Sequence, residues 1–262
     1  MKNRMCFFPL FLLLFAVLAN AQQIEAGGVH SIALKSNGMM YCWGDGYYGK
    51  LGNGKDTVFN APQPVIQMGV LRGKIIIQVF AGSNHTLALA YDGALFAWGQ
   101  NNSGQLGNGN NTKSNVPVAL IMDGVLKGKK ITQIAADGDY NLALADDGSL
   151  FAWGDNWHGQ LGNGNNNNSN VAIAVNMDGA LKGKKIVQIS AGNDYSLALA
   201  DDGTLFAWGG NEYGQLGIGN NNKSNFPVAV QMDGALKGKK ITQIAAGYGH
   251  TLALADDGTL FA

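Results

Sequence analysis

The residues that could carry chemistry recur at a fixed interval, so the repeats of the chain can be compared with one another. Histidine occurs at His30, His85 and His250, and tyrosine takes the same repeat position at Tyr140 and Tyr195. Because tyrosine replaces histidine here, a packed ring with one polar group explains the position better than acid–base catalysis does. We therefore predict a structural role for these five residues.

Other motifs with a chemical meaning are weak. Asp137 and Asp139 resemble the start of a calcium-binding loop, but the glycine and the later glutamate of that motif are missing. The glycines of segment 106–109 neither open a helix nor precede a Gly-Lys-Ser/Thr sequence, so they do not indicate a phosphate-binding loop. No serine occupies a nucleophile elbow. The sequence predicts no enzyme, no cofactor and no metal site.

Charged turns repeat as well. They are the lysine-rich turns 127–130, 182–185 and 237–240, and the aspartate pairs 146–147, 201–202 and 256–257. We expect both kinds of turn on one face of the molecule, where their charges offset each other. If an N-terminal leader that contains Lys2 and Arg4 is removed, the remaining chain keeps 16 of the 18 basic residues against 18 acidic ones. Its net charge is then −2. This balance does not predict a nucleic-acid partner.

The elements that position these residues are short strands in a strict 55-residue repeat. The stretch 146–154 returns without insertion or deletion. Its tryptophans and turn glycines are Trp43, Trp98, Trp153, Trp208, Gly38, Gly93, Gly148, Gly203 and Gly258. A fixed period of this size is typical of a repeat architecture, in which each unit buries its apolar face against its neighbours.

Each period predicts four strands. In the third repeat they are 130–134, 141–145, 150–153 and 173–175, and Gly148 supplies the positive φ of the turn between the second and third strands. Four antiparallel strands per repeat make one propeller blade, whereas a β-solenoid would use shorter coils. The predicted fold is all-β, a β-propeller of four-stranded blades.

The repeat also resembles a known family. Segments 81–99 and 104–107, and again 191–209 and 214–217, are similar to the regulator of chromosome condensation repeat, and the similarity covers nearly everything after residue 22. The resemblance implies a seven-bladed propeller that is used chiefly for protein recognition. The 241 residues of segment 22–262 hold about 4.4 repeats of 55 residues. We expect an incomplete arc of four to five blades from a seven-bladed parent, with a closed five-bladed ring as the alternative.

The N-terminal residues predict an extracellular address. Lys2 and Arg4 precede an apolar run at 6–19, and Ala19 and Ala21 match the small-x-small pattern of signal peptidase sites. The run is shorter than the roughly 20 residues that a spanning helix needs. We predict a signal peptide at 1–21, a propeller domain at 22–262, no membrane span after cleavage, and a secreted, cell-surface or periplasmic protein.

The repeats differ most in two sets of connections that we expect at one end of every blade. These are the segments after each third strand and the loops between first and second strands, here called the rim. The rim residues predicted to bind a protein are Tyr47, Tyr48, Asn102, Trp157, His158, Glu212, Tyr213 and Tyr248. Tyrosine and tryptophan bring a large contact area at low entropic cost. The competing interpretation is that these aromatic rings cover neighbouring blades.

The predicted function is a secreted or surface, non-enzymatic scaffold that binds a protein through the rim. Two alternatives are a structural segment of a large adhesive surface protein and an inhibitor of a secreted enzyme such as a β-lactamase. A third, implied by the resemblance, is a guanine-nucleotide exchange factor for a small GTPase. The predicted signal peptide and the strict repeat spacing argue against exchange activity. Self-association through open blade edges is a further expectation.

Overall fold

The computed structural model describes residues 21–262, and residues 1–20 of the predicted signal peptide lie outside this range. Within it the chain forms nineteen strands in five antiparallel sheets, the blades. Blade 1 contains β1 (Ala21–Ala26), β2 (His30–Lys35), β3 (Met40–Gly44) and β4 (Phe59–Pro64). Blade 2 contains β5 (Ile76–Ala81), β6 (His85–Ala90), β7 (Leu95–Gly99) and β8 (Ser114–Ala119). Blade 3 contains β9 (Ile131–Asp137), β10 (Tyr140–Ala145), β11 (Leu150–Gly154) and β12 (Ser169–Ala174). Blade 4 contains β13 (Ile186–Ala191), β14 (Tyr195–Ala200), β15 (Leu205–Gly209) and β16 (Ser224–Ala229). Blade 5 contains β17 (Ile241–Ala246), β18 (Thr251–Ala255) and β19 (Leu260–Phe261).

Strands that follow one another in sequence pair within each blade, which confirms the predicted propeller of four-stranded blades. The turn between the second and third strands is set by glycine. In blade 2, Gly93 has a φ of +84° and its N–H donates to the carbonyl of Ala90 at 2.9 Å. An L-residue pays a steric penalty at that φ, which explains why glycine recurs at every repeat.

The helical segments of the described range are single 3-10 turns. They are Tyr47–Gly49, Gly69–Leu71, Gly124–Leu126 and Gly234–Leu236. In residues 21–262 no helix is both long and apolar enough to cross a membrane.

Three third-strand tryptophans, Trp98, Trp153 and Trp208, lie in the cores between blades, whereas Trp43 of blade 1 is only partly buried. Trp208 is fully buried, and its indole Nε1 donates to the carbonyl of Gln160 in the preceding blade at 2.8 Å. A Cβ on Gly162 would lie 2.6 Å from that Nε1, so only glycine allows the ring this close. Trp153 makes the same bond to Gln105 at 3.0 Å. The conserved spacing of tryptophan and glycine within the chain therefore builds the core.

Side-chain amides join the inner strands of successive blades. Nε2 of Gln78 donates to the carbonyl of Thr132 at 3.0 Å, and Oε1 of Gln78 accepts from the N–H of Ile134 at 3.3 Å. Gln188 bonds to both backbone groups of Ile244: its Nε2 donates to the carbonyl at 3.0 Å and its Oε1 accepts from the N–H at 3.1 Å. Each blade thus packs on the next one along the chain, and in residues 21–262 no extended packing joins blade 1 to blade 5.

Two predicted strand bounds in blade 3 were too short. The fourth strand begins at Ser169, four residues earlier than predicted, because Ser169 pairs with Gly154 after a register shift that follows Ala152. The first strand continues to Asp137, which pairs with Tyr140. Apart from Val171, both extensions consist of polar or small residues, which the apolar pattern of the sequence does not mark.

Candidate functional site

The two connections that make up the rim lie at the same end of each blade, as predicted. In blades 1 to 4 the residue after the third strand donates a backbone hydrogen bond to a carbonyl of the loop between the first and second strands. The pairs are Asp45 to Val29 (2.9 Å), Gln100 to Asn84 (2.9 Å), Asp155 to Asp139 (3.0 Å) and Gly210 to Asp194 (2.8 Å). These bonds fix the variable loops to the sheet, so the rim is a preorganised surface.

The aromatic side chains of the rim are exposed. The exposed fraction is 73% for Trp157, 70% for Tyr213, 69% for Tyr248, 56% for Tyr47 and 46% for Tyr48. A ring whose role is to cover a neighbouring blade would be mostly buried. The exposures therefore favour the recognition interpretation over the packing interpretation.

The structure brings only half of the predicted rim residues together. His158, Glu212, Tyr213 and Tyr248, from blades 3, 4 and 5, line one small cavity of about 50 Å³ together with Asp194, Gly210 and Gln215. The other four residues, Tyr47, Tyr48, Asn102 and Trp157, belong to the exposed rim of blades 1 to 3 and do not line this cavity.

Gly210 lines this cavity and has no side chain to fill it. In blade 3 the equivalent residue is Asp155, whose Oδ2 accepts a hydrogen bond from Nε2 of Gln160 at 2.8 Å. In blade 4, Oε1 of Gln215 accepts from the N–H of Tyr213 at 3.0 Å, but its Nε2 has no hydrogen-bond partner within residues 21–262. Gln215 is only 9% exposed, so an amide donor faces the cavity. Sequence analysis missed Gly210 and Gln215, although comparing positions 155 and 210 would have found them.

Blade 1 fills the corresponding place with a cation of its own. Lys50 stands where the next three blades have glutamine, and it is 1% exposed. Its Nζ lies 3.2 Å from Oδ2 of Asp45 and 5.8 Å from the ring centroid of Tyr48. Tyr48 has a φ of +65°, the only positive value among the described non-glycine residues. The cation, the carboxylate and the ring hold an unusual backbone conformation in place.

The rim of blades 3 and 4 is acidic. Burial raises the pKa of Asp137, and the neighbouring charge of Asp194 raises it further. Burial also raises the pKa of Asp139, with added repulsion from Asp155 and Asp194. None of these four carboxylates forms an ion pair with a lysine or arginine of the described residues. No group of three or more histidine, cysteine or carboxylate side chains in residues 21–262 is arranged to hold a metal ion.

The histidine and tyrosine repeat position is buried and structural in blades 1 to 4, as predicted, whereas His250 of blade 5 is exposed. Nε2 of His85 lies 2.7 Å from Oδ1 of Asn141 on the next blade, and Nδ2 of Asn141 donates to the carbonyl of Gln105 at 2.8 Å. In blade 3, Tyr140 takes the same place: its hydroxyl donates to the carbonyl of Tyr195. These rings are buried in the blade interfaces, away from the exposed rim.

The charged turns lie together at the other end of the blades and neutralise each other, as expected. Nζ of Lys184 lies 2.7 Å from Oδ2 of Asp202, and Lys129 pairs with Asp147 in the same way. The hydrogen bond from Lys129 lowers the pKa of Asp147 to about 2. Exposed ion pairs of this kind contribute little to stability, so these turns are a solvated surface of mixed charge.

Comparison with known proteins identifies relatives of the whole described region. The sequence profile of the RCC1-like domain family matches residues 9–262. The human E3 ubiquitin-protein ligase HERC2 is 37% identical over 234 residues, which are 88% of this chain and 5% of HERC2. The ultraviolet-B receptor UVR8 of Arabidopsis thaliana is 33% identical over 239 residues, which are 91% of this chain and 52% of UVR8.

Solved structures agree on the fold. Human WBSCR16 superimposes with a TM-score of 0.78 at 31% identity, over 90% of this chain and 58% of that protein. Yeast RCC1 (Prp20), solved with Kap60, also gives a TM-score of 0.78, at 23% identity, over 95% of this chain and 57% of that protein. The chain spans little more than half the length of these structures and of UVR8, and a small part of HERC2.

Proposed function

The chain belongs to the family of RCC1-like domains, and from this premise we propose that it is a non-enzymatic scaffold that binds a protein partner on its rim. One observation carries the proposal. The interior positions repeat almost without change, whereas large aromatic side chains that vary from blade to blade stand exposed at one end of the sheets. A constant frame with variable exposed aromatic residues is the arrangement that protein recognition uses.

The comparisons support binding and carry no catalytic activity to this chain. Yeast RCC1, which shares this fold, was solved bound to the protein Kap60. HERC2 is named as a ubiquitin ligase, but this chain covers 5% of its length, and the ligase activity is not part of the proposal.

The rim is tested with the double variant Trp157→Ala/Tyr213→Ala. Partners are first captured from the extracellular and envelope fractions of the native host on immobilised wild-type protein and then purified. We expect the affinity of the double variant for the partner to fall at least tenfold in calorimetry, since buried aromatic anchors dominate interfaces. The matched control is Val125→Ala, a 41% exposed apolar side chain at the opposite end of the blades. Unchanged affinity for every captured partner would remove the rim from consideration.

We also propose that the protein acts outside the cytoplasm. The proposal rests on residues 1–21, which have the basic start, the apolar run and the small-residue cleavage pattern of a secretory signal. N-terminal sequencing of the protein from its native host should find Gln22 as the first residue of the extracellular or envelope form. A protein that retains the first twenty residues in the cytoplasmic fraction would contradict it.

A further inference from the structure

A second set of positions breaks the repeat, at the end of the blades opposite the rim and at the junction of blades 1 and 2. The later repeats carry aspartate at 123, 178 and 233, lysine at 130, 185 and 240, and aspartate at 146, 201 and 256. The equivalent residues at this junction are Met68, Ile75 and Tyr91. A fourth change replaces the lysine of 127, 182 and 237 with Arg72. We call Met68, Arg72, Ile75 and Tyr91 the junction patch.

The three apolar side chains of the junction patch are among the most exposed in the protein. The exposed fraction is 73% for Met68, 66% for Ile75 and 72% for Tyr91. Val70, which lies between Met68 and Ile75 in the sequence, is 42% exposed. The other repeats hold charged groups where these stand, so the apolar residues are a local departure and not the general surface of the fold.

The fold does not require these apolar residues. The backbone N–H of Tyr91 donates to the carbonyl of Ile75 at 2.8 Å. In blade 3, Asp146 donates to Lys130 in the same geometry, at 2.9 Å. The same hairpin therefore forms with an aspartate and a lysine, and the isoleucine and tyrosine must be explained by something outside the blade.

The junction patch is rigid. The N–H of Arg72 donates to Gly69 at 3.1 Å, and the N–H of Lys74 donates to Leu71 at 3.0 Å, so the segment from 69 to 74 is a closed turn. Lys74 is in turn paired with Asp92, beside Tyr91, at 2.5 Å. A surface that is already ordered loses little entropy when a partner binds.

The residue types change in the direction that protein interfaces favour. Tyrosine, methionine and arginine are enriched in interfaces, and lysine and aspartate are depleted. All four changes at the junction patch replace a depleted type, and three of them introduce an enriched type. A chance loss of charge would not be expected to select these types together.

The charge of the junction patch indicates the chemistry of the partner. Two carboxylates and one ammonium group of the repeat are lost, and the pair of Lys74 with Asp92 is neutral. Arg72 is exposed and has no ion pair within the described residues, so it leaves one free positive charge. A guanidinium binds a carboxylate through two parallel hydrogen bonds. We propose that the junction patch is a second docking site, for a protein segment that carries an aromatic or aliphatic side chain next to an aspartate or glutamate.

The probe for this site is a library of random twelve-residue peptides displayed on phage and selected against the full chain. Counter-selection uses the reverted variant Met68→Asp/Ile75→Lys/Tyr91→Asp. This variant is expected to fold, because blades 3 to 5 carry the same residue types at these positions. We expect enriched peptides that combine an apolar residue with an acidic one and bind the wild-type chain at least tenfold more tightly than the reverted variant in fluorescence polarisation.

Two further variants sharpen the test. Arg72→Gln should weaken the selected peptides about tenfold, and changing the acidic residue of the peptide to its amide should then cause no further loss. Placing all four residue types of the patch at blade 3, with Asp123→Met/Lys127→Arg/Lys130→Ile/Asp146→Tyr in the reverted background, should restore binding there. The rim variant Trp157→Ala/Tyr213→Ala should bind the peptides like wild type, so the junction patch can fail independently of the rim.

Four outcomes would overturn the proposal. Two concern the selection: no peptide is enriched over the reverted variant, or the enriched peptides lack an acidic residue. The other two identify a different occupant. In sedimentation, concentration-dependent association of the chain that the reversion abolishes would identify a second copy. In flotation, binding to vesicles of phosphatidylcholine and phosphatidylserine that the reversion abolishes would identify a lipid surface.

Discussion

The His85 imidazole donates from Nε2 to Oδ1 of Asn141, 2.7 Å away across the interface of blades 2 and 3. The direction of this bond follows from its neighbour, because the Asn141 amide nitrogen already donates to the carbonyl of Gln105. Nδ1 of His85 is buried and has no partner in the described residues. A second proton would therefore be placed on a buried atom that has no acceptor among the described residues.

We predict that the free energy of unfolding falls as the pH decreases below about 6.5, the ordinary pKa of histidine. Burial lowers the pKa of His85, and it lowers that of His30 to about 3. Between these values the unfolded chain binds protons that the folded chain does not, so stability present above pH 6.5 is progressively lost on acidification. His30 alone lowers the free energy of unfolding by roughly 2 kcal/mol between pH 7 and pH 5, and His85 lowers it further. Urea unfolding at each pH measures this.

The matched control is His85→Tyr/Asn141→Ser, which copies the pair that Tyr140 and Ser196 form one blade later. This variant should lose the part of the pH dependence that His85 supplies while it keeps its stability at pH 7.5. Asp137 acts in the opposite direction, because burial raises its pKa, but it is common to both proteins and cancels in the comparison. An unchanged slope in the control variant would show that other groups set the pH dependence.

The contribution of the tryptophan hydrogen bond to stability can be measured by comparing two tryptophans of this chain. Trp208 donates to Gln160 at 2.8 Å, whereas Nε1 of Trp98 is buried without a partner in the described residues. Replacing either residue with phenylalanine removes a similar volume, but only Trp208→Phe removes a hydrogen bond. We expect Trp208→Phe to cost about 1 kcal/mol more than Trp98→Phe in denaturant unfolding. Equal losses would mean that packing alone accounts for both rings.

The conformation of each asparagine-rich loop should depend on one buried asparagine side chain. In blade 3, Nδ2 of Asn156 donates to the carbonyls of Asn165 and Asn167 at 3.0 Å, and Oδ1 accepts from Leu161 at 2.9 Å. We expect Asn156→Ala to lower the free energy of unfolding by about 2–3 kcal/mol, because it leaves the N–H of the buried Leu161 unpaired and removes the bonds that hold two loop carbonyls. Asn166→Ala is the control: this exposed residue donates to the carbonyl of Trp157 and accepts a long bond from Asn225, both at the surface, so the change should cost little. Limited proteolysis of segment 157–168 gives a second readout.

The sequence was sufficient to predict the fold because its period is strict. The position of Trp153, the turn glycine Gly148 and the pairing of lysine with aspartate follow from spacing alone, and the structure confirms each of them. Polar elements were harder to predict. The early start of β12 at Ser169 depends on a register shift, which leaves no trace in hydrophobicity.

The site was predicted only in part, for a different reason. Exposed aromatic residues such as Trp157 and Tyr213 stand out in the sequence, and the structure confirms their exposure. Gly210 matters because it has no side chain, so it gives no signal in the sequence. That it leaves the Gln215 amide facing a cavity is visible only in three dimensions. The same holds for Lys50, whose burial beside Asp45 reverses what its charge suggests.

The cavity of blade 4 gives the last prediction, that Gly210→Asp will weaken binding of the rim partner without unfolding the protein. A Cβ at this position would lie 3.3 Å from Cβ of Asp194 and 3.6 Å from Cγ of His158, so the new side chain enters the cavity between them. Its carboxylate should then accept a hydrogen bond from Gln215, as Asp155 does from Gln160. The free energy of unfolding should change by less than about 1 kcal/mol, because the bond offsets the repulsion from Asp194.

Asp155→Gly opens the equivalent space in blade 3 and is the matched control. If the partner inserts a group into the cavity, calorimetry will show weaker binding for Gly210→Asp and little change for Asp155→Gly. Equal binding by both variants would confine recognition to the exposed rings around the cavity.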